Sequence, residues 1–226
     1  MNFFIERLFN PDQSRFFVLW VVMVMCSISF HEFSHAWVAQ TEGDPTPAAT
    51  GHYTLNPMRQ MGMLSIIMLA LIGFAWGAVP TNPTNFRSRW SHFRVAVAGP
   101  MMNLVLIVAF GVLYLLADML GALLLNDQMT FALLQLFYIG TWVNALGLIL
   151  NLLPVPMLDG WTVWQYLIPP LRRVAPSWER VAGIAGIIFV VFGFSLIWGT
   201  SRLAAELICG LSDGAVIDPY ATGAGT

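Results

Sequence analysis

From Phe16 to Ala39 the chain runs for 24 residues without an arginine, lysine or aspartate, yet it carries His31, Glu32 and His35. As a helix this stretch is about 36 Å long, enough to cross the roughly 30 Å hydrocarbon core of a bilayer. A charged side chain at the centre of such a helix costs about 3 kcal/mol on insertion scales, so ionisable groups there mark function by default. His31 lies about 22 Å along the helix, inside the membrane and closer to the face where the helix leaves.

His31 and His35 are four residues apart, so both imidazoles project from one helix face and can reach one metal ion. Glu32 lies beside them, placed to move a proton rather than to bind the ion. The His31-Glu32-Phe33-Ser34-His35 pattern reads as a zinc protease site with the glutamate as general base. A bland alternative makes the histidines packing residues and pairs Glu32 with an arginine. No arginine falls within two helical turns of Glu32, so that pairing has no local partner.

The apolar content of 58% and mean hydropathy of +0.71 place the chain among integral membrane proteins. A net charge of −2 argues against nucleic acid as a partner. Cys26 and Cys209 are isolated in apolar surroundings and suggest neither a disulfide framework nor a cysteine metal site.

Besides the first run, Val95–Ala117, Thr130–Leu153 and Ala182–Ser201 are long enough to span. Met63–Val79 is uncharged but only 17 residues long, with Gly73 and Gly77 inside it. The first fifteen residues fit a short amphipathic helix at the interface, and the run that follows is too long for a secretory signal. Thr41–Met61 is rich in glycine and proline. Its Gly51–Pro57 stretch suggests a short β-hairpin that presents Tyr53 on a free edge where an extended peptide can pair. His52 in the same loop is either a further ligand or a polar loop residue. The fold class is therefore all-α and polytopic, with about four full transmembrane helices, a re-entrant apolar segment and a short β-hairpin loop. Residues 1–210 form one membrane-embedded domain, and 211–226 read as a disordered tail.

After the third long run comes Asn151-Leu152-Leu153-Pro154-Val155-Pro156-Met157-Leu158-Asp159-Gly160. The two prolines stop a helix there. On that bend Asp159 can either give a metal its carboxylate, completing two histidines and one aspartate with a fourth place for water, or cap the helix that follows.

Together, His31 to His35 on a spanning helix, Gly99-Pro100 with Asn103 three residues on, and Asn151 through Asp159-Gly160 resemble the site-2 protease family of intramembrane zinc metalloproteases. The three motifs occur in the family's order and cover Phe16 to Gly160. The Gly51–Pro57 stretch and Pro80-Thr81-Asn82-Pro83 look most like its compact bacterial members, which lack PDZ and CBS domains. The resemblance implies that His31, His35 and Asp159 bind one Zn2+ and that Glu32 is catalytic. It also implies that Asn151 holds the substrate backbone, with Asn103 carried over as a further substrate-binding position.

For Asp159 to meet the histidines, the first span and the Thr130 run must end on the same side of the membrane. Met63–Val79 is therefore expected to be re-entrant. All ten basic residues are arginine. Arg59, Arg87, Arg89, Arg94, Arg172, Arg173 and Arg180 fall on the active-site side, against Arg7, Arg15 and Arg202 opposite, which favours a cytosolic active site in the cell membrane. The expected reaction is hydrolysis of a peptide bond in or near a transmembrane segment of a membrane protein, after local unwinding of that segment. Three rivals differ in class. One is an ion or proton relay through His31, Glu32 and Asp159. Another is a non-catalytic helix-binding adaptor, and the third a zinc protease with an aqueous chamber.

Overall fold

The computed structural model describes residues 3–11, 13–173 and 176–210; the tail expected to be disordered lies outside them. Among these described residues eight α-helices follow in order: α1 Ser14–Thr41, α2 Thr46–Ala49, α3 Pro57–Gln60, α4 Gly62–Ile72, α5 Ser91–Leu124, α6 Asp127–Asn151, α7 Asp159–Leu167 and α8 Pro176–Ile208. Among the described residues, α1, α5 and α6 contain spans long and apolar enough to cross a membrane, and α8 carries the fourth expected one. No strand occurs among the described residues.

α6 packs against α5, α1 and α8. Where α1, α6 and α8 meet, Trp20, Trp142 and Trp198 form a triangle with ring centroids 4.6–5.4 Å apart. Such ring pairs contribute about 0.5–1.5 kcal/mol each beyond their burial. Phe16 and Tyr138 extend the cluster, and the Trp142 indole N–H donates to Ser201 Oγ at 3.1 Å. This cluster lies towards the N-terminal end of α1 and leaves the other end for the histidines. The N-terminal stretch forms a short 3-10 helix over Phe4–Phe9 and packs Phe4 on Phe16 and Phe17.

The segment expected to be re-entrant turns back on itself. α4 has 11 residues, about 16 Å, and cannot cross a bilayer. It ends at Gly73, whose left-handed φ of 77° turns the chain, and there the Trp20 indole N–H donates to the Gly73 carbonyl at 2.9 Å. The chain then returns in extended form, and the Ala78 N–H reaches the Gln60 carbonyl at 3.1 Å. The way in and the way out are thus neighbours. Irregular backbone at this depth needs internal partners. Ser65 supplies them: its hydroxyl donates to the Trp76 carbonyl at 2.6 Å and accepts from the Trp76 N–H at 2.8 Å.

The loops at this end are tied to the end of α1. Buried Asp44 accepts from the Asn82 N–H at 2.6 Å and from Asn85 Nδ2 at 2.9 Å. Glu42 accepts from Ser91 Oγ at 2.6 Å and from Arg94 at 2.8 Å. So the exit of α1, both ends of the re-entrant segment and the start of α5 share one side, as the parity of the spans requires.

The hairpin expected over Gly51–Pro57 does not form. Residues 41–61 fold instead into the single turns α2 and α3, joined by turns. Asn56 accepts from the Met58 N–H and caps α3, and Pro57 sits at the first helical position, where its missing donor costs nothing. Gln60 Nε2 takes the carbonyls of His52 and Thr54, which removes the acceptors a strand pair would need.

Candidate active site

α1 turns His31 and His35 towards α5. Asn103 Oδ1 lies 2.5 Å from His31 Nδ1, and the Val95 carbonyl oxygen lies 2.7 Å from His35 Nδ1. Both partners only accept, so each imidazole carries its proton on Nδ1 and turns the lone pair of Nε2 outward. α5 admits the rings because Gly99 has no side chain: a Cβ there would collide with both Nε2 atoms. Pro100, next in the helix, cannot donate to the Ala96 carbonyl, which loosens α5 at the same point.

The third group arrives from 128 residues away. α6 stops at Asn151, and the chain bends through Leu152–Leu158, with Met157 held at φ 89°. Gly160 packs so closely on the end of α6 that a Cβ would lie 2.6 Å from the Leu152 oxygen and closer still to that of Leu153. The Trp164 indole N–H donates to the Leu152 carbonyl at 2.9 Å and holds α7 in this fold-back. Asp159 is the first residue of α7, whose N-cap position is taken by Leu158 and not by the aspartate. Its Oδ2 points at the histidines, 3.0 Å from His31 Nε2 and 3.2 Å from His35 Nε2.

The two Nε2 atoms are themselves 3.1 Å apart. With both Nδ1 positions protonated, three acceptors converge and none can donate, an arrangement that calls for a cation. Ligands at the corners of a tetrahedron with zinc bonds of about 2.0–2.1 Å stand roughly 3.3 Å from one another, and this triangle matches that edge. Among the described residues His31, His35 and Asp159 form a group able to hold a metal ion. Gly99 leaves the space in front of them open.

Glu32 is 8% exposed and faces the returning limb of the re-entrant segment. A Cβ on Gly77 would lie 2.6 Å from Glu32 Oε1, so bare backbone passes beside the carboxylate. Along this limb Phe74, Trp76, Ala78 and Pro80 are exposed while Ala75, Gly77 and Val79 are half-buried, the two-residue alternation of a strand. Periodicity alone missed this limb, because its apolar composition continues that of α4.

Of the other sequence-predicted positions, Asn103 touches His31, while His52, Tyr53 and Asn151 pair with groups other than the three candidate ligands. His52 Nδ1 bonds to Thr50 Oγ1 at 3.0 Å. Tyr53 is 43% exposed and packs its ring at a tilt against Phe33 with centroids 5.3 Å apart. Asn151 closes α6 and donates from Nδ2 to the Gly147 carbonyl at 3.0 Å. Asn103 is 1% exposed and bonded to His31, Ser27 and Asn144. Ser27 and Asn144 were not singled out by sequence; polar residues facing inward from spanning helices are the signal that marks them.

Compared with known proteins, the chain matches the sequence model described as Peptidase family M50 over residues 19–121 and 114–196. It is 34% identical over 173 residues to YwhC of Bacillus subtilis, provisionally named a zinc metalloprotease, covering 76% of this chain and 78% of that protein. Rip2 of Mycobacterium tuberculosis, provisionally named likewise, is 34% identical over 171 residues, covering 71% of this chain and 62% of the relative. No solved structure matches the chain.

Proposed function

The chain belongs to peptidase family M50 and is a zinc metalloendopeptidase of the membrane, and on that premise we propose that it hydrolyses a peptide bond in or beside a transmembrane segment of another membrane protein. The observation that carries this reading is the convergence of His31, His35 and Asp159 within 3.2 Å of one another beside Glu32. Zinc, when bound by these three groups, supplies Lewis acidity that lowers the pKa of water towards about 7 and polarises the scissile carbonyl.

The remaining chemistry belongs to the chain. Glu32 takes one proton from the attacking water as its oxygen bonds to the carbonyl carbon. When the C–N bond breaks, Glu32 returns that proton to the leaving nitrogen. The flanking helices keep both transfers out of bulk solvent, where proton leakage would compete.

A transmembrane helix hides its amides in internal hydrogen bonds, so the substrate must unwind before attack. The extended limb over 74–80, running past Glu32, offers main-chain groups to an unwound strand by β-addition. Asn151 and Tyr53 are the candidate substrate-binding positions for this approach. Arginines crowd the active-site end of the helices, seven against three, which supports a multi-pass protein of the cell membrane with its site towards the cytosol.

The test is reconstitution in liposomes with a panel of single-span membrane proteins. Chelator-sensitive cleavage of at least one is expected. Ion flux without cleavage would support a relay in place of a protease.

A further inference from the structure

His31 and His35 are oriented by unlike partners. His35 is held by the Val95 backbone carbonyl, which cannot present anything but an oxygen. His31 is held by the Asn103 side-chain amide, which can be turned over to present Nδ2 instead. Whatever fixes that amide fixes the proton of His31.

Three buried groups do so. Asn103 commits Nδ2 to Asn144 Oδ1 at 3.1 Å and to Ser27 Oγ at 3.2 Å. Ser27 Oγ donates to Asn144 Oδ1 at 2.8 Å, and Asn144 Nδ2 donates to the Gly140 carbonyl at 2.8 Å. Asn144 is fully buried, and Asn103 and Ser27 are 1% and 4% exposed, so no water competes for these bonds.

The order of donors then runs one way. The Gly140 carbonyl accepts only donors, so Asn144 turns Nδ2 to it and Oδ1 to Asn103. That oxygen accepts only donors, so Asn103 turns Nδ2 to it and Oδ1 to His31. His31 must therefore hold its proton on Nδ1 and leave Nε2 bare towards His35 and Asp159. We propose that Asn144, backed by Ser27, is a positioning residue that sets the tautomer of His31 through Asn103 and so sets the affinity of the site for zinc, on the footing that His31 is a zinc ligand.

Replacing Asn144 by leucine keeps its branched shape and removes the acceptor. The Asn103 amide then gains an alternative, with Oδ1 accepting from the Ser27 hydroxyl and Nδ2 donating to His31. In that arrangement His31 keeps its proton on Nε2 and points an N–H at the metal position.

The experiment measures zinc affinity by competition with a chelator, using the full chain in detergent micelles. Asn144→Leu should bind zinc about 10- to 100-fold more weakly than wild type, the usual effect of losing such support. The double variant Asn103→Asp/Asn144→Leu should recover most of the loss, because a carboxylate offers an acceptor to His31 whichever way it turns. Asn103→Asp alone should stay weak, since its carboxylate faces Asn144 Oδ1. Wild-type affinity in Asn144→Leu, or a double variant no tighter than Asn144→Leu, overturns the proposal; a purely packing role predicts no such rescue. If Asn144→Leu fails to fold, Ser27→Ala takes its place. A several-fold loss is expected there, and none would overturn the proposal. A wild-type chain that takes up no zinc would instead overturn the metal site itself, and this proposal with it.

Discussion

Asp159 Oδ2 stands 3.0 Å from His31 Nε2 although the two are 128 positions apart in the chain. Two membrane-depth devices make that contact: a helix that opens at Gly99 to admit two imidazoles, and a bend after Asn151 that Gly160 folds tightly enough to bring a carboxylate back. Each is open to substitution.

Gly99→Ala places a methyl against both Nε2 atoms. Alanine in a helix interior is favoured over glycine by about 1 kcal/mol, which offsets part of the roughly 1–3 kcal/mol that crowding the two rings costs, so the variant should still fold. Its zinc content after purification should drop below roughly a tenth of the wild-type value, the scale of losing a ligand's orientation. Normal zinc content would show that the metal does not sit in front of Gly99.

Gly160→Ala drives a Cβ into the carbonyls of Leu152 and Leu153 and must push α7 away from α6. Asp159 moves with it. Zinc affinity and cleavage should both fall by at least about tenfold, since shifts of 1 Å at a site can cost 100-fold. Unchanged cleavage would mean that Asp159 need not hold its place.

The re-entrant limb implies that Arg59 and Arg87 lie on one side of the membrane. In a background lacking Cys26 and Cys209, cysteines placed at 59 and 87 should label from the same side of sealed vesicles. Labelling from opposite sides would mean that Met63–Val79 crosses completely, and the meeting of Asp159 with the histidines would lose its topology.

Asp44 couples the loop after α1 to the loop before α5. Burial pushes its carboxyl up, but hydrogen bonds from Thr46, Asn85 and the Asn82 N–H outweigh this and hold it below the usual carboxylate range. A depressed carboxyl contributes stability above its unfolded value of about 3.9, and that stability fades as pH falls towards the folded value. Thermal unfolding should show wild type losing stability below about pH 4 more steeply than Asp44→Asn. At neutral pH Asp44→Asn should be weaker by about 1–3 kcal/mol, the cost of an unmet buried partner. Parallel pH profiles would remove Asp44 from the fastening of this end.

Much of this was legible in the chain. The i, i+4 histidines follow from helix geometry alone, and the parity of the spans requires Met63–Val79 to turn back. The hairpin at Gly51–Pro57 was misread because glycine, proline and alternating apolar residues suit single helical turns as well as strands, and capping by Asn56 decided between them. Extended backbone does lie beside Glu32, but in 74–80, where no turn residue separates it from the apolar run of α4 except Gly73. Ser27 and Asn144 are marked in the chain only as polar residues within spanning runs; their link to His31 passes through Asn103 and appears only once α1, α5 and α6 are packed.

The central claim is that Glu32 moves protons for a zinc ion held by His31, His35 and Asp159. The direct measurement compares zinc per chain and cleavage of a single-span substrate in wild type, Glu32→Gln and Asp159→Ala. One zinc per chain is expected in wild type and Glu32→Gln, with cleavage at least about 100-fold slower in the latter, as for loss of a general base. Asp159→Ala should lose both. Wild-type turnover by Glu32→Gln, or full zinc occupancy in Asp159→Ala, would contradict it.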